Sequence, residues 1–199
     1  MEQLCMTQLH EFFESQNTIN NRQFGFRKAH STIHPLLSVK AYIEQKLQNN
    51  EFIILVSLDL SKAFDTVDTE NILQTKIKYY TGDNNITNWI DSFYKNRQQY
   101  TLWEDQKSDI IKNHNISIVQ GSSMGPRLFN VYVNDLPNVS DKVEFVLFAD
   151  DSNFMLSSPI PKELEKSLNR ELRDIKDYFD SNGLSINTEK TTYLQFCLR

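Results

Sequence analysis

One apolar run, Val143-Glu144-Phe145-Val146-Leu147-Phe148-Ala149, stops on two adjacent carboxylates, Asp150 and Asp151. After a short polar break the chain is apolar again through Phe154, Met155 and Leu156. That pattern predicts a buried β-hairpin with two negative charges at its turn. A second β-branched run, Phe52 to Leu58, predicts another buried strand, and it too ends on an acid, Asp59. Elsewhere the apolar period is helical. Leu4, Leu9, Phe12 and Phe13 allow a helix to about Glu14. Leu36, Val39, Ile43 and Leu47 follow Ser31-Thr32 and Pro35, and are expected to pack as core. Ile72, Leu73, Ile77 and Tyr80 suit a third helix, and Ile86, Trp89, Ile90 and Phe93 a fourth. The most regular series, Leu164, Leu168, Leu172, Ile175 and Phe179, predicts an amphipathic helix over 161–181 stopped by Gly183. Two polar-edged strands are expected at 99–104 and 109–119 as the more exposed part of the sheet, and a last strand, carrying Lys190, at 184–196.

This order implies an α+β fold of the split β-α-β, ferredoxin-like kind, an antiparallel sheet with helices on one face and the acids together at one edge. At 199 residues there is room for one substantial core. Cys5 and Cys197 lie at opposite ends with no metal-ligand spacing, which fits a reducing compartment. No basic leader or membrane-length apolar run is present, so an intracellular protein of the cytoplasm or nucleus is expected, without a membrane partner. The net charge of -5 opposes tight autonomous binding of a nucleic-acid duplex, although residues 1–50 are slightly basic.

If the strands ending on Asp59 and on Asp150-Asp151 are neighbours, three carboxylates meet at one sheet edge, with the carbonyl of Leu60 as a further oxygen. Such a set can hold two divalent ions, Mg²⁺ or Mn²⁺, for in-line phosphoryl transfer. An acidic pair in a turn can equally be just solvated. Two further stretches bear on anions. Gly25, between Phe24 and Phe26, suggests a backbone turn that leaves Arg27 and Lys28 to face a phosphate, or an ordinary exposed basic pair. Gln120-Gly121-Ser122-Ser123-Met124-Gly125-Pro126 leads into an apolar helix, where backbone amides can meet a phosphate or base, or simply join a loop to a helix.

Taken in order, Gln23-Phe24-Gly25-Phe26-Arg27, Leu58-Asp59-Leu60-Ser61-Lys62-Ala63-Phe64-Asp65, Val119-Gln120-Gly121-Ser122 with Met124-Gly125-Pro126 and Asn134-Asp135-Leu136-Pro137, Phe148-Ala149-Asp150-Asp151, and Leu184-Ser185-Ile186-Asn187 with Glu189-Lys190-Thr191 resemble the reverse transcriptase domain of non-LTR (LINE-type) retrotransposons. The resemblance runs from about Gln23 to Phe196. It implies a right-hand polymerase palm over 51–199 and part of the fingers, mostly helical, over 1–50. It further implies an RNA-directed DNA polymerase acting on an RNA template, a DNA primer and a deoxynucleoside triphosphate (dNTP). By that resemblance Asp59 and Asp150, with the Leu60 carbonyl, would bind Mg²⁺, Mn²⁺ substituting, and Asp151 would support them. Phe64 would lie under the nucleotide sugar and exclude a 2′-hydroxyl. Gln120 and Gly121 would shape the nucleotide and template pocket, and Lys190 would stand near the leaving pyrophosphate.

The chain departs from the family pattern at Val119, where proline is usual, and at Phe148, where many reverse transcriptases have tyrosine. The family's upstream fingers hairpin, thumb and endonuclease are not recognised in it, so further domains of a longer polyprotein are expected partners. Two alternatives remain at this point. One is a non-catalytic palm fragment or relic that keeps the fold and metal site. The other is a phosphoacceptor receiver domain, which also gathers three acids and a lysine, but with the acidic pair on the earlier strand.

Overall fold

The two strands that run into acids, Phe52–Leu58 and Glu144–Phe148, are not direct neighbours: the strand that begins at Asp151 lies between them and pairs with both. The computed structural model describes residues 2–112, 117–119 and 121–198, Lys112 in its backbone only. In chain order the elements are α1 (Glu2–Ser15), α2 (Ile33–Gln48), β1 (Phe52–Leu58), α3 (Ile72–Thr81), α4 (Asn84–Tyr94), β2 (Gln98–Gln99), β3 (Leu102–Trp103), β4 (Gln106–Lys107), β5 (Ile111–Lys112), α5 (Gly125–Tyr132), β6 (Glu144–Phe148), β7 (Asp151–Ser158), α6 (Pro161–Ser181) and β8 (Thr192–Phe196). The main sheet runs β6-β7-β1-β8 with every neighbour antiparallel. This removes the receiver alternative, whose doubly wound sheet is parallel.

Alternation along the strands builds the core. Ile54, Val56 and Leu58 of β1, Phe145 and Leu147 of β6, and Phe154 and Leu156 of β7 share one face and one hydrophobic cluster. From α6, Leu164, Ile175 and Phe179 close over that cluster, joined by Leu128, Phe129 and Tyr132 of α5. The stop after α6 follows from Gly183 at φ +67°. The amide of Leu184 donates to Phe179 O at 2.9 Å and that of Gly183 to Asp180 O at 3.0 Å, so the last carbonyls are satisfied. Met6, Leu9 and Phe13 of α1 and Ile19 after it join the same cluster.

Four expectations are corrected. First, the sheet is not covered on one face only. The Tyr42 hydroxyl of α2 donates to Ser157 Oγ at 3.2 Å, and Ser157 lies opposite Ile53, on the face away from the main cluster. Second, α2 is not a core helix: none of its residues is fully buried, and Ile33, Leu36 and Leu37 are exposed. Third, β2 to β5 form two separate two-residue ladders instead of extending the sheet. Their described residues are exposed, so no buried face fixes them against a neighbour. Fourth, the last strand begins only at Thr192. The Asn187 side chain accepts from the amides of Glu189 (3.2 Å) and Lys190 (3.3 Å), and this turn places Lys190 ahead of the strand.

The Asn134-Asp135 pair is a tie within the fold. Asn134 accepts from the amide of Asn20 at 2.7 Å and donates to Thr18 O at 2.8 Å. Asp135 accepts from Lys76 Nζ of α3 and the Tyr178 hydroxyl of α6, both at 2.6 Å. Two helices and the N-terminal loop thus converge on one turn behind the sheet.

Candidate active site

The register of β1 on β7 sets the site. Leu58 lies opposite Ser152, so one step further Asp59 comes level with Asp151. Phe148 lies opposite Asp151, which leaves Ala149 and Asp150 as a two-residue turn, with Ala149 at φ +58°. Residues 184–187 run alongside the Asp59 end. The amide of Asn187 donates to Asp59 O and that of Ser61 to Ser185 O, each at 2.8 Å, and Leu60 bridges Ile186. The turn after Asn187 then brings Lys190 Nζ to 4.0 Å from Asp59 Oδ2.

Four residues singled out from the sequence therefore stand at one sheet edge: Asp59, Asp150, Asp151 and Lys190. Their electrostatics agree. The Asp151 carboxyl is held above the usual aspartate range, first by partial burial and then by the negative charges of Asp150 and Asp59. The donors are all hard oxygens, which suits Mg²⁺ or Mn²⁺. Among the described residues no three acidic, histidine or cysteine side chains converge into a ready-made cage. That is compatible with Mg²⁺, which keeps several waters and is usually held by one or two carboxylates and substrate phosphates. The oxygen donors at this edge, the Asp59 and Asp150 carboxylates among them, are of the hard kind that a divalent ion takes.

Phe64 is half-buried and stacks on Phe129 of α5, with centroids 4.8 Å apart and planes at 28°. Its carbonyl accepts from the amide of Ile118 at 2.8 Å, which ties the stretch before the glycine turn to the Asp59 loop. Gln120 lies outside the described residues. Gly121 adopts φ +81° and faces open space, a conformation that a side chain would strain. At the mouth of α5 the expected phosphate position is taken by a carboxylate of the same chain. Glu2 Oε1 accepts from Ser122 Oγ (2.6 Å), Ser123 Oγ (3.2 Å) and the amide of Met124 (3.2 Å). The Ser122 hydrogen bond is the main cause holding the Glu2 carboxyl below its ordinary range.

Arg27 is not free to meet an anion. Its guanidinium is buried, with Nε and Nη2 on the two Glu14 oxygens at 3.0 and 2.9 Å, and Nη1 on the carbonyls of Asn20 (3.2 Å) and Gln23 (3.3 Å). It fastens the loop to α1, and only its neighbour Lys28 is exposed. The sequence offered no sign of the Glu14 partnership, and none for Gln23. The Gln23 side chain is buried against the Ala149 turn, 126 positions away.

Over residues 1–197 the sequence matches the family described as reverse transcriptase (RNA-dependent DNA polymerase). The chain belongs to the reverse transcriptase family. It is 25% identical over 205 residues to the probable RNA-directed DNA polymerase from transposon BS of Drosophila melanogaster, covering 100% of this chain and 22% of that protein. The RNA-directed DNA polymerase from mobile element jockey of Drosophila funebris is 26% identical over 203 residues, covering 98% and 22%. This reverse transcriptase domain thus spans about a fifth of the length of these relatives. Apo telomerase from Candida tropicalis superposes with a TM-score of 0.68 at 12% identity, over 96% of this chain and 36% of that one. Telomerase from the same organism in complex with a fragment of telomeric RNA gives 0.67 at 13% identity, over 97% and 33%. These likenesses establish the polymerase palm fold. Reverse transcriptases as a family use divalent metal ions.

Proposed function

We propose that this domain is the palm core of a LINE-type RNA-directed DNA polymerase, with residues 1–50 belonging to the fingers and 51–199 to the palm. The observation that carries the reading is that the backbone places Asp59, Asp150 and Asp151 at one edge of the sheet with Lys190 beside Asp59. Asp59, Asp150 and the Leu60 carbonyl hold Mg²⁺, or Mn²⁺ in its place. Bound there, divalent ions lower the pKa of a primer 3′-hydroxyl and offset charge on the triphosphate. The new bond joins the 3′-oxygen to the α-phosphorus, and the bond from the α-phosphorus to the bridging oxygen breaks, releasing pyrophosphate. Lys190, largely exposed beside Asp59, supplies a proton to that leaving group. Asp151 adds negative charge that favours cation binding. Phe64, braced by Phe129, walls the sugar site, Gln120 and Gly121 shape the nucleotide and template pocket, and Lys28 meets backbone phosphate.

The test is primer extension on a poly(A) template with an oligo(dT) primer and labelled dTTP, with Mg²⁺, with Mn²⁺ and with a chelator. Incorporation that depends on the metal is expected. Mn²⁺ binding through Asp59 and Asp150 without incorporation would instead identify a metal-binding palm with no polymerase activity of its own. A second outcome concerns the sugar. Phe64→Val should raise incorporation of UTP relative to dTTP, and loss of the ring pair should cost stability by about 1 kcal/mol. An unchanged UTP/dTTP ratio would remove Phe64 from the sugar site.

A further inference from the structure

The two-residue turn that carries Asp150 is held by a side chain from the other end of the chain. Gln23 is 1% exposed, and its amide is devoted to the turn and to its own loop. Oε1 accepts from the amides of Ala149 (3.0 Å) and Gly25 (2.9 Å), while Nε2 donates to Ala149 O at 3.4 Å. Both backbone polar groups of Ala149 are therefore fixed by one carboxamide. Main-chain pairing alone already docks this loop. Phe24 N donates to Leu147 O at 2.9 Å, Leu147 N donates to Arg22 O at 2.8 Å, and Gln23 bridges Leu147 in parallel. The side chain goes further and reaches the turn itself.

Ala149 needs that hold. At φ +58° an alanine sits in the left-handed region that L-residues with a Cβ disfavour, so it persists only where the surroundings impose it. The Ala149 carbonyl belongs to the peptide leading into Asp150, so its rotation re-aims the Asp150 carboxylate. Gly25 completes the support. A Cβ there would lie 2.4 Å from the Ala149 nitrogen, so only glycine allows the approach. The Gly25 carbonyl accepts from Asn130 Nδ2 of α5 at 2.6 Å, which anchors the loop to the helix that follows the glycine turn.

We propose that Gln23, seated by Gly25, is a positioning residue that sets the aim of Asp150 at the metal site. The inference rests on the reading of Asp150 as a metal ligand and deepens it. Partners of this kind that orient a ligand without touching the ion typically govern its affinity by ten- to a hundredfold.

The experiment uses the full 199-residue chain in four further forms: Gln23→Met, which matches the length without the amide; Gln23→Asn, one methylene short; Gln23→Glu, which keeps an oxygen acceptor; and Asp150→Asn. Mn²⁺ affinity is read from the electron paramagnetic resonance of free Mn²⁺, and the clamp from hydrogen exchange at the Ala149 amide. Gln23→Met is expected to bind Mn²⁺ about ten- to a hundredfold more weakly and to exchange faster at Ala149. Gln23→Asn should move both in the same direction, which keeps the test decisive if Gln23→Met does not fold. Gln23→Glu, whose ionised carboxyl still accepts from the Ala149 amide but cannot donate to the Ala149 carbonyl, should keep exchange at that amide slow while Mn²⁺ binding stays weakened. Full wild-type affinity in this variant would overturn the role given to the carbonyl. Slow exchange at Ala149 in both Met and Asn variants would overturn the clamp. Fast exchange with unchanged Mn²⁺ affinity would show that the turn is held without aiming Asp150. Mn²⁺ affinity indifferent to Asp150→Asn would overturn the ligand reading instead, and with it the proposal.

Discussion

Asp150→Asn is expected to abolish templated incorporation and yet to raise the melting temperature of the metal-free protein. The loss follows from the metal-ligand role proposed for this carboxylate. A bound divalent ion contributes several kcal/mol of charge stabilisation in the transition state, and each 1.36 kcal/mol is tenfold in rate, so the fall should be on the order of a thousandfold or more. The gain in stability has the opposite source. Asp151 holds its proton above the aspartate range partly because Asp150 and Asp59 repel its charge. An amide at 150 removes one of those charges and leaves a side chain of the same shape. The carboxylates are substantially solvated, so the relief is small, about 1–3 °C for a chain of this size. Adding Mn²⁺ should reverse the order, because the ion stabilises only the form that binds it. Thermal melts of both proteins with and without Mn²⁺ read this crossing directly. If both rise equally with Mn²⁺, the ion is not held by Asp150.

What the sequence disclosed follows from the range of the forces involved. Each strand ending on an acid was legible because an unbroken stretch of apolar residues, 52–56 in one case and 145–149 in the other, is followed within three residues by a carboxylate. The period of α6 was legible because one helix face is buried along its whole length. The register that brings Asp59 level with Asp151 was not, since pairing is fixed by the sheet as a whole. Short-range competition misled at two places. Residues 184–196 have strand composition, but the Asn187 side chain satisfies the backbone as a turn and delivers Lys190. The stretch around 98–112 has the alternation of sheet strands without the buried face that would dock it. Long-range polar contacts left no mark at all. Gln23 with Ala149 and Arg27 with Glu14 are pairs between segments whose separate patterns say nothing of each other. The basic look of Arg27-Lys28 therefore suggested an anion site, where the fold uses Arg27 as an internal fastener.

That assignment gives the largest expected effect on folding. Glu14→Ala should destabilise the protein by about 1–3 kcal/mol, because the largely buried guanidinium keeps its two backbone carbonyls but loses both carboxylate acceptors. In a chain of this length the melting temperature should fall by about 5 °C. A double variant, Glu14→Ala with Arg27→Met, should recover a large part of the loss, since no charge is then left unpaired. The effect should also depend on pH. The Arg27 hydrogen bond, working against partial burial, holds the Glu14 carboxyl below its ordinary range. A carboxyl with a depressed folded pKa contributes in full above its unfolded value, about 4.3, and that contribution disappears as pH falls through the lower folded value. Urea denaturation of the wild type and Glu14→Ala should therefore differ most at pH 7 and converge towards pH 3. Equal midpoints at pH 7 would mean that Arg27 turns out to solvent, and would return it to the set of side chains available to a phosphate.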